Sequence, residues 1–365
     1  MPIRNRLRPV HRLSVCLATA IAVSGCSSLG GAPRAADPVP VDPASIGWKP
    51  AALQEVVDFA RSQKTTGLLI IHQRRIVAEH NWPLPSDAAT ANFKAAFVHG
   101  QSPGGALLED VASQQKSFVA ILVGVAIDQG LLDIGRPVSA YTGAGWSKAA
   151  PADEARITVR HLLEMNSGLK EDLSPEAAPG GHFFYNTPAY AILKRVLEGA
   201  ARRPLDELTR AWLTEPLGMH ETAWRLRPAA LGDVGNPTGL VTSPRDIAKM
   251  GQMLLDGGRA PDGRMVISPA QLKAQLTRTA TNPAYGQLWW LNGGSHAFTA
   301  GNGPPRREGA LVPSAPPDLV LALGALDRKL FVVPSLGLVI VRTGQATPDR
   351  DFNESLWQRL RRALP

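Results

Sequence analysis

A serine and a lysine at the start of an apolar segment are the first residues whose types and spacing could do chemistry. Residues 109–118 read EDVASQQKSF, and the apolar run VAILVGVAI follows directly. This pattern predicts a buried helix that begins near Ser113, with Lys116 three residues later on the same face. A serine hydroxyl attacks a carbonyl carbon poorly unless a base accepts its proton, and a buried lysine with a lowered pKa can be that base. The pair therefore predicts a nucleophile and its general base.

The Ser-x-x-Lys spacing alone is weak evidence, because a capping serine followed by a solvated lysine has the same spacing. The context favours the chemical interpretation, because residues 119–127 are apolar on almost every side and would place Lys116 against a core. The N-terminus of such a helix also presents free N–H groups and a partial positive charge, which stabilise an oxyanion.

The order of elements around this helix predicts an α+β fold. Strand-like segments occur near both ends of the chain, at residues 67–77 and 319–341, while residues 110–279 show mainly helical patterns. We therefore expect one antiparallel sheet, flanked by N- and C-terminal helices, with an inserted all-helical lobe. Helical spacing predicts the apolar faces of these two helices, which comprise Leu53, Val56, Val57 and Ala60 in the first and Phe352, Leu356 and Leu360 in the last. The α/β part would comprise residues 49–109 and 280–365.

Several further segments resemble the serine β-lactamase and penicillin-binding protein superfamily, in particular its class C-related branch. The resemblance covers roughly residues 50–345. The branch includes esterases, 6-aminohexanoate-oligomer hydrolases and D-amino-acid peptidases, so the resemblance implies the β-lactamase/DD-peptidase-like fold and acyl transfer through an acyl-enzyme. The matching segments follow the predicted helix in order: DQGLLDIGRPVSAY, ITVRHLLEMNSGL (157–169), EPLGMHETAW (215–224), GLVTSPRDIAKMGQMLLDGG (239–258) and YGQLWW (285–290).

The resemblance also implies a catalytic tyrosine. The family's Tyr-x-Asn motif corresponds to the stretch GGHFFYNTPAYAIL, which puts Tyr185 beside the nucleophile as a proton shuttle. The match is imperfect, because Thr187 stands where the family often has asparagine and Asn186 comes one place early. Both side chains remain candidates for contact with the substrate, but the change weakens a specific β-lactamase assignment.

The family's third element, Lys-Thr-Gly on a strand that lines the site, is missing. The corresponding strand is LVLALGALDRKLFVVP (319–334), where Gly324 and Ala325 could supply a backbone N–H to the oxyanion. The triplet 342–344 reads Arg-Thr-Gly, but it follows the next strand, so we expect it at the other end of the sheet. Without the lysine the site lacks a cation for a substrate carboxylate, which favours esters or amides over β-lactams.

The N-terminus reads as an export signal. Four arginines precede an apolar run too short to span a bilayer, and residues 23–26 (VSGC) resemble a bacterial lipobox that ends in the lipidated Cys26. We expect a lipoprotein signal peptide at residues 1–25, a flexible tether at 26–48 and the hydrolase domain at 49–365. The protein would then be lipid-anchored in the bacterial cell envelope and face the periplasm, with Ser27 compatible with the outer membrane.

Composition excludes other classes of function. Loss of residues 1–25 removes four arginines and no acids, so the formal charge falls from +8 to +4, and no basic stripe with interleaved aromatics indicates nucleic acid as a partner. The histidines show no metal-ligand spacing, so we expect no metal and no cofactor. His182 either lines the cleft or faces water, and Trp289 and Trp290 either wall the cleft or belong to the core.

Three interpretations remain open at this stage. The first is a serine hydrolase that acts on small-molecule esters, amides or peptides. The second is a true β-lactamase or DD-peptidase. The third is a non-catalytic envelope lipoprotein that binds peptidoglycan or a protein partner.

Overall fold

The computed structural model describes residues 37–232, 234–301 and 306–365 of the chain, and within them it contains thirteen strands. In chain order they are β1 (Val39–Pro40), β2 (Thr65–His72), β3 (Arg75–Asn81), β4 (Val98–Gln101), β5 (Leu107–Asp110), β6 (Ala223–Leu226), β7 (Thr238–Thr242), β8 (Trp290–Leu291), β9 (His296–Ala297), β10 (Arg307–Glu308), β11 (Val320–Gly324), β12 (Arg328–Val333) and β13 (Leu338–Gly344).

The same part of the chain forms thirteen α-helices. They are α1 (Pro50–Ser62), α2 (Ala88–Phe97), α3 (Gln115–Asp128), α4 (Ser139–Thr142), α5 (Pro151–Glu154), α6 (Val159–Leu163), α7 (Thr187–Ala201), α8 (Leu205–Thr209), α9 (Glu215–Leu217), α10 (Ala229–Gly232), α11 (Pro244–Leu255), α12 (Pro269–Gln275) and α13 (Phe352–Ala363).

The larger sheet joins the two ends of the chain. Its strand order is β1-β3-β2-β13-β12-β11-β8, and every neighbouring pair is antiparallel except β1 and β3. The C-terminal β13 pairs with the N-terminal β2, with Ile340 opposite Ile70. Both strands are buried along their whole length, as expected of a sheet that is covered on both faces.

The first and last helices pack against each other beside this sheet. In α1 the buried residues are Leu53, Val56, Val57 and Ala60, which recur at helical spacing. In α13 the buried set includes Phe352, Leu356 and Leu360, and Phe59 of α1 stacks on Phe352. The sequence therefore predicted these two helices and their inward faces correctly, and the α+β class is confirmed.

The inserted lobe, which we expected to be all helical, also contributes strands. A second sheet has the order β4-β5-β7-β6, and two of its strands, Ala223–Leu226 and Thr238–Thr242, come from inside the lobe. The reason is geometric: the segment that leads to Ser113 ends in β5, and its backbone groups pair with β7. The second sheet thus fixes the chain segment that leads into Ser113.

Helix α3 lies in the middle of the lobe and is buried on all sides, as its composition predicts. Gln115 and every residue from Lys116 to Ala126 are buried. A side chain on Gly124 would come within 2.3 Å of Ile267, so only glycine permits this packing distance. The Ser117 hydroxyl donates a hydrogen bond to the Leu288 carbonyl, and the Ala120 carbonyl accepts one from Gln275 Nε2. The helix is therefore a rigid support for its own N-terminus.

Folded structure begins earlier than the expected start near Pro50. Strand β1 pairs with β3, and Trp48 is 2% exposed and donates a hydrogen bond through Nε1 to His72 Nδ1 at 3.0 Å. The part of the predicted tether from residue 37 to 48 is therefore packed on the domain, because an aromatic side chain and a sheet edge hold it there. The predicted signal peptide, Cys26 and the rest of the tether lie outside the described residues, and the division of the chain stays a prediction. None of the described helices combines the length and the hydropathy needed to cross a bilayer.

Candidate active site

Ser113 lies in a tight turn between β5 and α3. A 3₁₀ turn spans Ala112–Gln114, and Ala112 has a φ of 50°, a left-handed conformation that costs a non-glycine residue about 1–3 kcal/mol. Asp110 Oδ1 accepts the N–H of Ala112 at 2.8 Å and holds this conformation. Such strain is typical of functional sites, and here it presents a partly exposed serine at the end of a buried helix.

Lys116 is enclosed directly behind this serine. It is 2% exposed, and its Nζ lies 3.0 Å from Ser113 Oγ. The same nitrogen lies 4.7 Å from the ring centroid of Tyr185 and 4.7 Å from that of Tyr190, so two aromatic rings flank it. The spacing in the sequence predicted the serine contact, whereas Tyr190 was not predicted.

The surroundings of Lys116 disfavour its charged form. Burial lowers the pKa of Lys116 well below its usual value, and the nearby cations Arg227 and Lys194 lower it further. Both come from segments far away in the chain and lie near a single carboxylate, that of Asp110. The neutral amine that a base requires is therefore favoured by solvent exclusion and by charge.

Tyr185 lies beside the same serine. Burial raises the pKa of Tyr185 to about 12, and its hydrogen bond with the Ser113 side chain partly offsets this rise. The phenol is therefore un-ionised at neutral pH. Its ring stacks on Trp290 with centroids 5.7 Å apart. Trp289 and Trp290 are both buried, so they belong to the core, and Trp290 also backs the tyrosine.

The two residues after the tyrosine have different roles. Thr187 Oγ1 lies 3.2 Å from Lys116 Nζ, so the threonine contacts the lysine of the candidate site. Asn186 is 1% exposed: its Oδ1 accepts the N–H of Ala189, and its amide group donates to the carbonyls of Leu169 and Lys170. The candidate role of Asn186 in substrate contact is therefore corrected, since it caps α7.

Replacement of Thr187 by valine is expected to lower the rate of Ser113 acylation about 2- to 10-fold, because one hydrogen bond contributes about 0.5–1.5 kcal/mol. Valine keeps the shape of threonine and removes only the hydroxyl next to Lys116. The measurement is the rate of labelling by a fluorophosphonate, with Thr277→Val, at an exposed position just after α12, as control. An unchanged rate would contradict a role for the hydroxyl in positioning the lysine.

Strand β11, which stands where the family has its Lys-Thr-Gly strand, meets the serine turn through its backbone. A side chain on Gly324 would come within 2.2 Å of the Val111 carbonyl oxygen and 3.3 Å of the Gln114 nitrogen, so this strand end touches the turn that carries Ser113. Ala325 follows as an exposed residue whose carbonyl accepts from Arg328 Nη1 at 3.0 Å. The segment 319–334 is not one strand: a turn with Leu326 and Asp327 at φ near 60° separates β11 from β12.

The expected position of the triplet 342–344 is wrong. Strands β11 and β13 both run antiparallel to β12, so their last residues, Gly324 and Gly344, lie at the same end of the sheet. The triplet is nevertheless engaged in the core: Thr343 contacts Thr66, and the N–H of Gly344 donates to Glu109. Arg342, which is fully buried, lies on the other face of the sheet. It donates to the carbonyls of Gln63, Gln345, Leu326 and Asp327.

Two buried ion pairs hold this region together. Arg227 forms a bidentate pair with Asp110 at 2.7 and 2.9 Å. Arg328 lies 3.1 Å from Glu109, and both side chains are fully buried. In the sequence, these pairs are indicated by the adjacent acids Glu109 and Asp110, which precede the serine turn. Their arginine partners lie more than one hundred residues further along the chain.

Replacement of Lys194 by methionine is expected to reduce the pH dependence of stability. Burial lowers the pKa of Lys194 from 10.5 to about 7, with a further contribution from Arg227 and opposing ones from Asp110 and Glu198. The unfolded chain then binds more protons than the folded protein between these values, so the free energy of unfolding rises with pH across this window. Urea unfolding at about pH 6.5 and about pH 9 measures this rise.

The rise should be smaller in Lys194→Met than in the wild type, while Lys116 contributes in the same direction to both. Lys273→Met, on an exposed position of α12, serves as the control. Equal increases in wild type and Lys194→Met would contradict the lowered pKa.

Elsewhere in the described ranges, no group of three or more histidine, cysteine or acidic side chains is arranged to hold a metal ion. His182 lines a cleft next to the aromatic cluster and is exposed, so both of its expected placements apply.

A two-lobed α+β fold with a serine, a lysine and a tyrosine between the lobes is the arrangement of serine hydrolases with the β-lactamase fold. The comparisons with known proteins agree. The family profile described as Beta-lactamase matches residues 59–363, and the chain belongs to this family.

The similar sequences are distant. An uncharacterised protein of Alkalihalophilus pseudofirmus is 24% identical over 304 residues, which cover 75% of this chain and 82% of the relative. Penicillin-binding protein 4 of Amycolatopsis lactamdurans is 28% identical over 205 residues, which cover 43% of this chain and 53% of the relative.

Three solved structures show the same fold. A proposed β-lactamase of Bacteroides dorei has a TM-score of 0.64 at 15% identity and covers 87% of this chain and 99% of its own. A proposed 6-aminohexanoate-dimer hydrolase of Bacillus anthracis has a TM-score of 0.60 at 16% identity, with 85% and 80% covered. A family VIII carboxylesterase has a TM-score of 0.59 at 15% identity, with 86% and 98% covered.

Proposed function

We propose that this protein hydrolyses esters or amides through an acyl-enzyme on Ser113, with Lys116 as general base and Tyr185 as proton shuttle. The observation that carries the proposal is the 3.0 Å separation of Lys116 Nζ and Ser113 Oγ inside an aromatic enclosure. A lysine so placed is poised to accept the serine proton once its own proton is lost.

The protonation states assign the roles. The lowered pKa of Lys116 makes its neutral amine available as the base, whereas the raised pKa of Tyr185 leaves the phenol protonated and able to donate. Two neighbouring groups whose pKa values are pushed in opposite directions are typical of an acid and base pair.

In the first step, Ser113 Oγ forms a bond to the substrate carbonyl carbon and its proton passes to Lys116. The bond to the leaving group then breaks, the leaving oxygen or nitrogen takes a proton from Tyr185, and Lys116 returns a proton to the phenol. In the second step, water adds to the acyl carbon and gives a proton to Lys116. Ser113 Oγ leaves with that proton and the acid product is released. No cofactor enters these steps.

The oxyanion is held by backbone groups in this proposal. The donors would be the N–H of Ser113 and an N–H near Gly324 or Ala325, whose strand end touches the serine turn. Glycine is required at residue 324 for that close approach.

The residues of β11 and β12 favour substrates without a carboxylate. Within the described part of β11 and β12, Arg328 and Lys329 are buried and paired with Glu109 and Asp327. Neither cation is left to bind a β-lactam or peptide carboxylate. The names of two structural neighbours, a 6-aminohexanoate-dimer hydrolase and a carboxylesterase, point to amide and ester substrates.

We further propose that the protein works in the bacterial cell envelope, anchored by lipid on Cys26 and facing the periplasm, with the outer membrane as the site that Ser27 favours. The support is the sequence of residues 1–27 alone. Radiolabelled palmitate incorporation into the wild type and its absence in Cys26→Ala would test this anchor.

Labelling with a fluorophosphonate and with a fluorescent penicillin, each beside Ser113→Ala, tests the catalytic proposal. We expect the phosphonate to label the wild type and not the variant, because only an activated serine reacts. Labelling by penicillin as well would favour the β-lactamase or DD-peptidase alternative. If neither reagent labels Ser113, the chain is a non-catalytic binding protein and the proposal fails.

A further inference from the structure

A cleft of about 1140 Å³ lies beside the aromatic cluster of the candidate site. One wall comes from residues 170–184 and includes Phe183 and Phe184. The other comes from residues 280–298 and includes Phe298. All three phenylalanines are partly exposed, so their rings are available to a ligand. Ligand pockets in proteins measure roughly 300–1,000 Å³, so this cleft has room for a group much larger than a methyl or ethyl substituent.

The cleft adjoins, through Phe183, the aromatic rings that pack on Tyr185. Phe183 packs edge-on against Tyr285 at 5.2 Å and against Trp290 at 6.2 Å between ring centroids. The same two rings contact Tyr185, at 6.3 Å and 5.7 Å. One aromatic cluster therefore forms both the inner wall of the cleft and the support of Tyr185, which in turn contacts Ser113. The cleft lies on the tyrosine side of the serine.

The chemistry of the walls selects the kind of group that fits. Aromatic rings stack favourably on other rings and on hydrocarbon, and each buried apolar group adds binding energy. The charges at the rim are largely paired: Asp172 with Lys148 at 2.9 Å, and Glu176 with His182 at 3.8 Å. Lys170 and Glu171 also line the cleft, so its rim carries charges of both signs, and the three phenylalanines decide which ligand fits.

We propose that this cleft binds the leaving group of the substrate, and that this group is a ring-bearing alcohol or amine. The inference rests on the proposed function, because Tyr185 is there the donor to the leaving group, and the cleft is on its side. The acyl part would then lie on the opposite side of Ser113.

Direct binding to Ser113→Ala tests the cleft without any turnover. The probe is 1-naphthol, followed by its fluorescence or by calorimetry. We expect naphthol to bind to the unsubstituted cleft. Phe298→Ala and Phe184→Ala should each weaken naphthol binding about tenfold, since each removes much of one buried aromatic contact. Phe59→Ala, on the far side of the sheet against Phe352, is the matched control and should bind as the parent does.

Ester kinetics then show which part of the substrate, the leaving group or the acyl part, occupies the cleft. In the catalytically competent protein, Phe298→Ala should lower kcat/KM for 1-naphthyl acetate about tenfold and leave ethyl acetate unchanged. If instead the variant impairs ethyl 1-naphthoate and spares naphthyl acetate, the cleft holds the acyl part and the proposal is overturned. Naphthol binding that is unaffected by both phenylalanine variants overturns it as well.

The two proposals fail in different ways. Absence of fluorophosphonate labelling at Ser113 would refute the catalytic function while naphthol binding to the cleft could persist. Labelling at Ser113 without any naphthol binding would leave the hydrolase standing and refute the leaving-group site.

Discussion

Replacement of Lys116 by arginine is expected to reduce acylation of Ser113 by about 10²–10⁴-fold, the usual contribution of a general base. Arginine keeps a positive charge on a side chain slightly longer than that of lysine, but it stays protonated at any working pH and cannot accept the serine proton. The buried space between the rings of Tyr185 and Tyr190 also excludes water that could replace the amine. The measurement is the rate of fluorophosphonate labelling as a function of pH.

The pH profile separates a lost base from a damaged fold. In the wild type, labelling should rise with pH as Lys116 loses its proton, and should level off at a pH well below the usual pKa of lysine. In Lys116→Arg the rise should be absent. Lys273→Arg, on an exposed position of α12, should behave as the wild type. A variant that labels at a rate near that of wild type would show that Lys116 is not the base.

Replacement of Asp110 by alanine is expected to lower the free energy of unfolding by about 3–5 kcal/mol, because it leaves the buried Arg227 guanidinium without its partner. Asp110 is 1% exposed and accepts two hydrogen bonds from Arg227. It also holds the N–H of Ala112, so the turn that carries Ser113 loses its support. Denaturant unfolding, with a separate assay of labelling, measures both consequences.

Two further variants make this prediction specific. Glu55→Ala breaks the exposed pair with Arg362 and should change stability far less, since exposed pairs are screened by water. The double variant Asp110→Ala with Arg227→Met removes both charges and should recover part of the lost stability, but not the labelling rate. If the single Asp110 variant unfolds at the same denaturant concentration as the wild type, the buried pair does not stabilise the turn.

Local patterns anticipated several parts of this structure. The apolar run after Lys116 predicted a helix buried on all sides, and the spacing of Leu53, Val56 and Val57 predicted the inward face of α1. These predictions succeed because a helix repeats every 3.6 residues, so neighbouring positions in the sequence decide which face is apolar. Ser113 and Lys116 meet for the same reason.

Other local interpretations failed where long-range pairing decides. The triplet 342–344 lies at the same end of the sheet as Gly324, contrary to the expectation from a single strand over residues 319–334. Residues 319–334 form two strands, and this puts β11 and β13 in the same direction. Residues 37–48 have the composition of a tether, yet Trp48 is buried because a partner, His72, is brought to it by the sheet.

The sequence by itself determined that Ser113 and Lys116 share one turn of a buried helix, and it displayed the order of the elements around them. The resemblance to the β-lactamase superfamily pointed to Tyr185 as their neighbour. Only the tertiary structure decided what surrounds the lysine. Tyr190, Lys194 and Arg227 come from segments 74 to 111 residues away. Tyr190 flanks the amine, burial is the main cause of its lowered pKa, and the charges of Arg227 and Lys194 lower that pKa further. Helical spacing is a local property that a sequence displays directly. The charge state of a buried amine depends on which distant groups the packing brings within a few ångströms, and no local pattern records that.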